Sequence, residues 1–180
     1  MSVDQEILLL EHEMELACQL LEMELARSIE IGADIGEAMG QSSESWHDNA
    51  PADAVLEEYA LHKGKIAVLS NLTNKGSIVP YPSENDPNIS IGSGATIVVP
   101  TWKEIINLLV IGDARFLYPA HVALHGEVEL VSYNSPLAIA LMGKRVGDAC
   151  EANIHGKKVE ITVDGVDQNT VHEVYESLKH

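Results

Sequence analysis

Asn134-Ser135-Pro136-Leu137-Ala138-Ile139-Ala140-Leu141-Met142-Gly143-Lys144-Arg145-Val146-Gly147-Asp148 is the stretch whose reading decides the fold. Serine followed by proline marks a helix start. The hydroxyl oxygen can accept from the free backbone N–H groups, and proline sits where a missing N–H costs nothing. The apolar turn that follows is short, and Gly143 and Gly147 bracket a charged turn that needs backbone freedom. Leu137, Ala140 and Leu141 are placed inward, Asn134 and Ser135 outward. The segment therefore reads as a short helix packed on a sheet, returning by a tight turn into a strand.

Around this helix the chain supplies the strands. Short β-branched runs at 95–99, 128–131 and 159–163 are separated by turn residues, the pattern of an antiparallel sheet. The apolar run at 106–111 also reads as a strand, with Gly112-Asp113 as a hairpin turn. Ile78-Val79-Pro80-Tyr81-Pro82 is extended, 83–88 reads as a polar linker, and 169–180 reads as a short terminal helix.

The first part of the chain has a different period. Residues 3–39 contain no proline, and Ile7, Leu10, Met14, Ala17, Leu21 and Leu25 recur in steps of three and four, one face of a helix. The polar stretch 40–50 follows, interrupted by Trp46. Asn49 and Pro51 then open a second helix whose stripe is Val55, Tyr59, His62, Ile66 and Leu69. Two apolar stripes joined by a short polar link predict an antiparallel helical hairpin, a coiled coil. At 1.5 Å per residue it reaches about 36 Å, long enough to act as a probe.

The composition narrows the classes. In 180 residues there are 28 acids and 11 bases, a formal net charge of −17, so direct binding to free nucleic acid is excluded as an expectation. Two cysteines, Cys18 and Cys150, form no disulfide framework or CxxC metal signature. No apolar run approaches the ~18 residues of a membrane span, so the expectation is a cytoplasmic protein with no membrane association. His121 and His125 have helical ligand spacing but no third ligand in the pattern, and read as structural.

The stretch at 134–144 resembles the Asn-Ser-Pro-(Leu/Ile)-Ala-x-Ala-Leu-x-Gly-Lys motif of the bacterial Gre transcript-cleavage factors, GreA and GreB. The two-domain plan is similar over about 1–165. The resemblance implies an α+β protein: an N-terminal antiparallel helical hairpin at 1–78, an FKBP-like antiparallel sheet with one short helix at 79–165, and a helical tail at 166–180. It implies a regulator that enters bacterial RNA polymerase through its secondary channel and meets the RNA 3′ end only inside that complex. On this reading the protein is no enzyme by itself; it stimulates the polymerase's own nuclease on backtracked transcripts.

The family's hairpin tip reads Asp-x-x-Glu-Asn-Ala-x-Tyr, and its two carboxylates help to hold Mg²⁺ in the polymerase active site. Aligned on Asn49-Ala50, Asp48 takes the place of the glutamate, Ser45 that of the aspartate and Ala52 that of the tyrosine. Glu44, one residue further away, is the second carboxylate. The resemblance thus implies Asp48 and Glu44 as catalytic, Mg²⁺-holding residues, the ion being shared with polymerase. Asn134, Ser135, Pro136 and Leu137 match the loop that grips a coiled coil on the polymerase rim, and Trp46 at the tip is a further partner contact. Lys63 and Lys65 are the RNA-proximal bases, Gly64-Lys65-Ile66 being similar to the family's Gly-Arg-Ile step. Two alternatives stand beside cleavage: a homologue that occupies the channel and inhibits or retunes polymerase without cleaving, and a binding or chaperone-like module that never reaches an active site.

Overall fold

A computed structural model of the chain describes residues 6–41, 50–118 and 128–178. It divides into two compact units, residues 1–14 with 76–180, and residues 15–75.

The larger unit is built on a five-stranded sheet: β3 (Gly94–Val99), β4 (Glu104–Ile111), β5 (Glu129–Ser132), β6 (Ala149–Ile154) and β7 (Lys157–Asp167), in spatial order β5-β4-β3-β7-β6. All neighbours are antiparallel except β4 and β5, which run parallel. The expected antiparallel sheet is thus corrected at one edge. Gly112-Asp113 is not a hairpin turn either. The β4 strand pairs back onto β3 through the turn at 100–103, and after Ile111 the chain enters a 3₁₀ turn at Arg115–Leu117. On one sheet face Ile97, Val99, Leu108, Val110, Ile161 and Val163 are buried with Ala138 and Leu141 of the short helix α3 (Pro136–Leu141). The terminal helix α4 (Thr170–Ser177) belongs to this unit, and its Val171 is buried with Leu109 and Ile111 on the opposite face.

Residues read as the start of the first helix are instead a strand. The β1 strand (Ile7–Leu10) pairs in parallel with β2 (Gly76–Val79), in register Ile7 to Gly76 and Leu10 to Val79. A run of four adjacent apolar residues can be buried on both faces of a strand, whereas a helix buries one stripe. Leu9 and Leu10 are fully buried. Similarly, 83–88 is no free linker: Gln168 Nε2 donates to the carbonyls of Asp86 and Asn88 at 2.8 and 3.2 Å, and Arg145 Nε donates to Asn88 Oδ1 at 2.8 Å.

A buried polar knot fixes the start of α1 (Glu11–Gln41) in this unit. Glu13 Oε2 accepts from the Leu10 amide at 2.8 Å, and Oε1 accepts from the Gly112 amide at 3.0 Å and the Tyr118 hydroxyl at 2.9 Å. With Tyr118 donating its proton to Glu13, His12 Nε2–H donates to Tyr118 at 2.7 Å, and Nδ1 accepts from Tyr81 at 2.8 Å. Gly112 is required here, because a Cβ would fall on Glu13 Oε2 and the Leu8 carbonyl.

The smaller unit contains the rest of α1 and α2 (Ala50–Lys75). Cross-helix contacts pair residue 24 with 62 and 65, and 27 with 58, so the helices run antiparallel. The α2 stripe lies inward as read, with Leu69 buried. On α1 the inward face follows Ala17, Leu21, Glu24, Ser28 and Ile31; Leu25 is 46% exposed and lies off it.

Candidate functional site

The tip carboxylates Asp48 and Glu44, with Trp46, lie outside the described residues, as do His121 and His125. Among the described residues no group of three or more His, Cys, Asp or Glu side chains could hold a metal ion. No helix among them is long and apolar enough to cross a membrane.

The hairpin bases are described. Lys63 Nζ sits 4.8 Å from the centroid of the Tyr59 ring, a cation–π contact within one helical turn. Lys65 Nζ bonds Glu24 Oε1 at 3.1 Å, and Glu24 Oε2 meets His62 Nδ1. Desolvation raises the carboxyl of Glu24, but its bonds to His62 and Lys65 outweigh that and hold it below the usual range. Arg27 bridges Glu30 and Glu58, at 3.0 Å each. The cations expected to face RNA are therefore partnered along the hairpin flank.

At the other candidate site the geometry follows the sequence closely. Ser135 Oγ accepts from the Ala138 amide at 3.1 Å, with Pro136 at the first helical position. Asn134 Nδ2 donates to Asp113 Oδ1 at 2.6 Å, which ties the residue before the cap to the end of β4. Leu137 and Ala140 are partly buried against the core, where Ala138 and Leu141 are fully buried. Behind the helix, Gly143 (φ 75°) donates to the Ile89 carbonyl and the Ile89 amide donates to Lys144, at 2.8 and 2.9 Å. Gly147 (φ 88°) donates to Val163 at 2.8 Å. A six-residue helix is thus held by hydrogen bonds at both ends.

What the clamp presents was missed in the sequence. Pro136, Ile139 and Met142 share one exposed face, Ile139 being 63% exposed, and exposed Val146 and Arg145 continue it. The signal was available as the i, i+3 spacing of apolar residues on the side opposite Ala138 and Leu141.

Residues 118–168 match the family model for the C-terminal domain of the GreA/GreB transcription elongation factors, a span that holds β5, α3, β6 and β7. The chain is 31% identical over 121 residues to the transcription elongation factor GreA of Rickettsia conorii, covering 67% of this chain and 68% of that protein. The chain belongs to the GreA/GreB family. A longer, weaker match runs to GreA of Geobacillus kaustophilus, 24% identical over 157 residues, or 87% of this chain and 89% of that protein. Among solved structures, GreA factor homolog 1 of Thermus thermophilus is 25% identical, covering 90% of this chain and 99% of that one at a TM-score of 0.42. The GreA/GreB factor of Nitrosomonas europaea is 19% identical, covering 91% and 99%, at 0.34. Within the GreA/GreB frame, the motif at 134–144 falls inside the span matched by the family model.

Proposed function

We propose that this Gre-family protein binds bacterial RNA polymerase in the cytoplasm through the α3 ridge and acts at the polymerase active centre with its hairpin tip. The observation that carries the docking half is the clamped α3 helix, with its cap intact and with Pro136, Ile139 and Met142 turned to solvent. Apolar side chains on a rigid element lose little entropy on binding and serve as anchors. Asn134, Ser135 and Leu137 fix the helix start from which that ridge projects.

At the tip, Asp48 and Glu44 supply two carboxylates, the hard oxygen donors that suit Mg²⁺ when waters and a partner's groups complete the shell. The donor set fits that ion by its chemistry. When bound, the ion makes a water more acidic and steadies a leaving oxygen. Asp48, beside Asn49, is the principal carboxylate; Glu44 is the weaker second. Trp46 meets the partner's surface between them. Lys63 and Lys65 keep positive charge near the RNA while held by Tyr59 and Glu24. The protein contributes ligands and position, and polymerase performs the cleavage.

A second reading is favoured by the tip itself, where Ser45 and Ala52 stand at the positions of the family's aspartate and tyrosine. On that reading the hairpin occupies the channel and slows or retunes transcription without cleavage. One experiment separates the two: stalled elongation complexes incubated with the full-length protein, scored for transcript shortening and for elongation rate. Replacing Ser135-Pro136 by charged residues abolishes either effect if the docking half is right. Unchanged polymerase affinity in that folded variant refutes it.

A further inference from the structure

The helix α4 follows the 118–168 span matched by the family model, and that match does not account for it. Val171, Val174 and Tyr175, with Leu178 just past its end, recur at the spacing of one helix face. That face is turned to the buried knot at the start of α1. Val171 is fully buried in a cluster with Leu10 and Tyr118, and Val174 and Leu178 pack against the same cluster. The Tyr175 ring lies 4.8 Å from the His12 ring between centroids, and the His172 ring lies 5.0 Å from that of Tyr81. The helix therefore meets His12 itself and both of the tyrosines bonded to it.

The entry to α4 is fixed separately. Asp167 accepts from the Asn169 amide at 3.0 Å and from the Thr170 hydroxyl at 2.7 Å. A Cβ on Gly94 would fall on the Thr170 side chain, so β3 approaches the helix as closely as only glycine allows. These local contacts secure the first turn, and the stripe carries the remainder onto the knot.

The knot lies at the root of the hairpin. The α1 helix is continuous from Glu11 to Gln41, with residues up to Met14 in the sheet unit and Glu15 onward in the smaller one. Its first turn is held by Glu13, which accepts from the Leu10 and Gly112 amides, and by His12 between Tyr81 and Tyr118. Buried polar networks are strong only while their members stay packed and out of water. The rings and valines of α4 supply packing on one side of this network.

We propose that α4 is a clasp for the hairpin root: seated, it packs the knot and fixes the first turn of α1, and the hairpin acts on its partner only from that fixed root, while docking through α3 does not need it. The clasp stands on contacts inside the sheet unit; its effect on a partner rests on the polymerase reading. Glu173 is exposed and off the stripe, and its amide bonds the Asn169 carbonyl. Glu173→Pro removes that bond and breaks α4 without altering the packed face, and Glu173→Ala is the control. A second variant, Tyr175→Ala, removes the ring against His12 and leaves the helix to form. Amide hydrogen exchange in the full-length protein should rise about tenfold or more at Leu10 and Gly112 in Glu173→Pro and Tyr175→Ala, with Ile139 and Met142 of α3 unchanged. In stalled elongation complexes Glu173→Pro should bind polymerase as wild type does and lose most of the hairpin's effect on transcript cleavage or elongation rate. Unchanged exchange at Leu10 and Gly112 in both variants, or an equal rise in α3, overturns the clasp. Raised exchange with an undiminished effect on transcription overturns its role in the hairpin's action. Failure of the wild-type protein to bind polymerase refutes the polymerase reading alone, and the exchange result still decides the clasp.

Discussion

The sheet unit and the helical hairpin solve the burial problem in opposite ways. In the sheet unit Leu109, Ile111, Leu141 and Ile161 lose all contact with solvent, and even the polar side chains His12 and Glu13 are sequestered with their partners. In the hairpin, one narrow seam is buried while Ile29 and Leu61 remain 76% and 69% exposed. Its flanks are tied by Glu24, His62, Lys65, Arg27 and Glu58. Burial is cooperative and insensitive to salt; charged flanks are weak and screened. The difference teaches that burial is concentrated in the sheet unit, while the hairpin leaves apolar side chains such as Ile29 and Leu61 in solvent.

The strongest way to break this comparison is Glu13→Ala, which leaves the Leu10 and Gly112 amides and the Tyr118 hydroxyl without their shared acceptor. Unpaired buried donors are costly, and a loss of about 4 kcal/mol in chemical denaturation is expected. A loss below about 1 kcal/mol would show that the knot at the start of α1 is dispensable. Leu141→Ala should cost about 3 kcal/mol by leaving a cavity under α3.

Acid should act through the same knot. Burial, aided by the nearby His172, lowers His12 to about 4 from 6.5, so it is neutral when folded; Tyr81, Tyr118 and Tyr175 also face it, and Glu13 is reached only through the Tyr118 hydroxyl. Between about pH 6.5 and 4 the unfolded chain binds a proton there and the folded chain does not, so this contribution is lost as pH falls, by about 3 kcal/mol at pH 4. Glu13, raised by burial, works the other way, favouring the folded state as pH falls through its own raised value. His12→Gln should therefore flatten the acid limb of a melting curve series. An unchanged limb would remove His12 from the account.

Smaller effects sharpen the picture. Ser135→Ala should cost about 1 kcal/mol, the value of a helix N-cap, and leave the hairpin untouched. Glu24→Gln should cost less than about 1 kcal/mol, because that pair lies on a partly wet flank, and the loss should shrink in high salt. Salt-independent destabilisation would mean that Glu24 acts by packing.

What the sequence revealed follows the same divide. Ser135-Pro136 could be read because a cap is local chemistry, four residues long. The α2 stripe could be read because steps of three and four are intrinsic to a helix. The β1 strand could not, since Ile7–Leu10 becomes a strand only by pairing with Gly76–Val79, far along the chain. Gly112 looked like a turn residue; its actual requirement is the carboxylate of Glu13, 99 positions away. Leu25 lies off the inward face of α1 and Glu24 on it, because the rotation of a helix is settled by what it packs against and not by its own stripe alone. The exposed ridge of Ile139 and Met142 was hidden behind a motif read for its inward side.

The most direct test of the central claim, that a rigid docking ridge on the sheet unit serves a working hairpin tip, is transcript cleavage in stalled elongation complexes. Wild-type protein should shorten the transcripts. Asp48→Asn should bind polymerase equally well yet cleave about 10²-fold more slowly, as loss of a charged ligand to a shared ion implies, with Glu44→Gln affected less. Full-length transcripts with wild-type protein bound, or equal cleavage by Asp48→Asn, would contradict it.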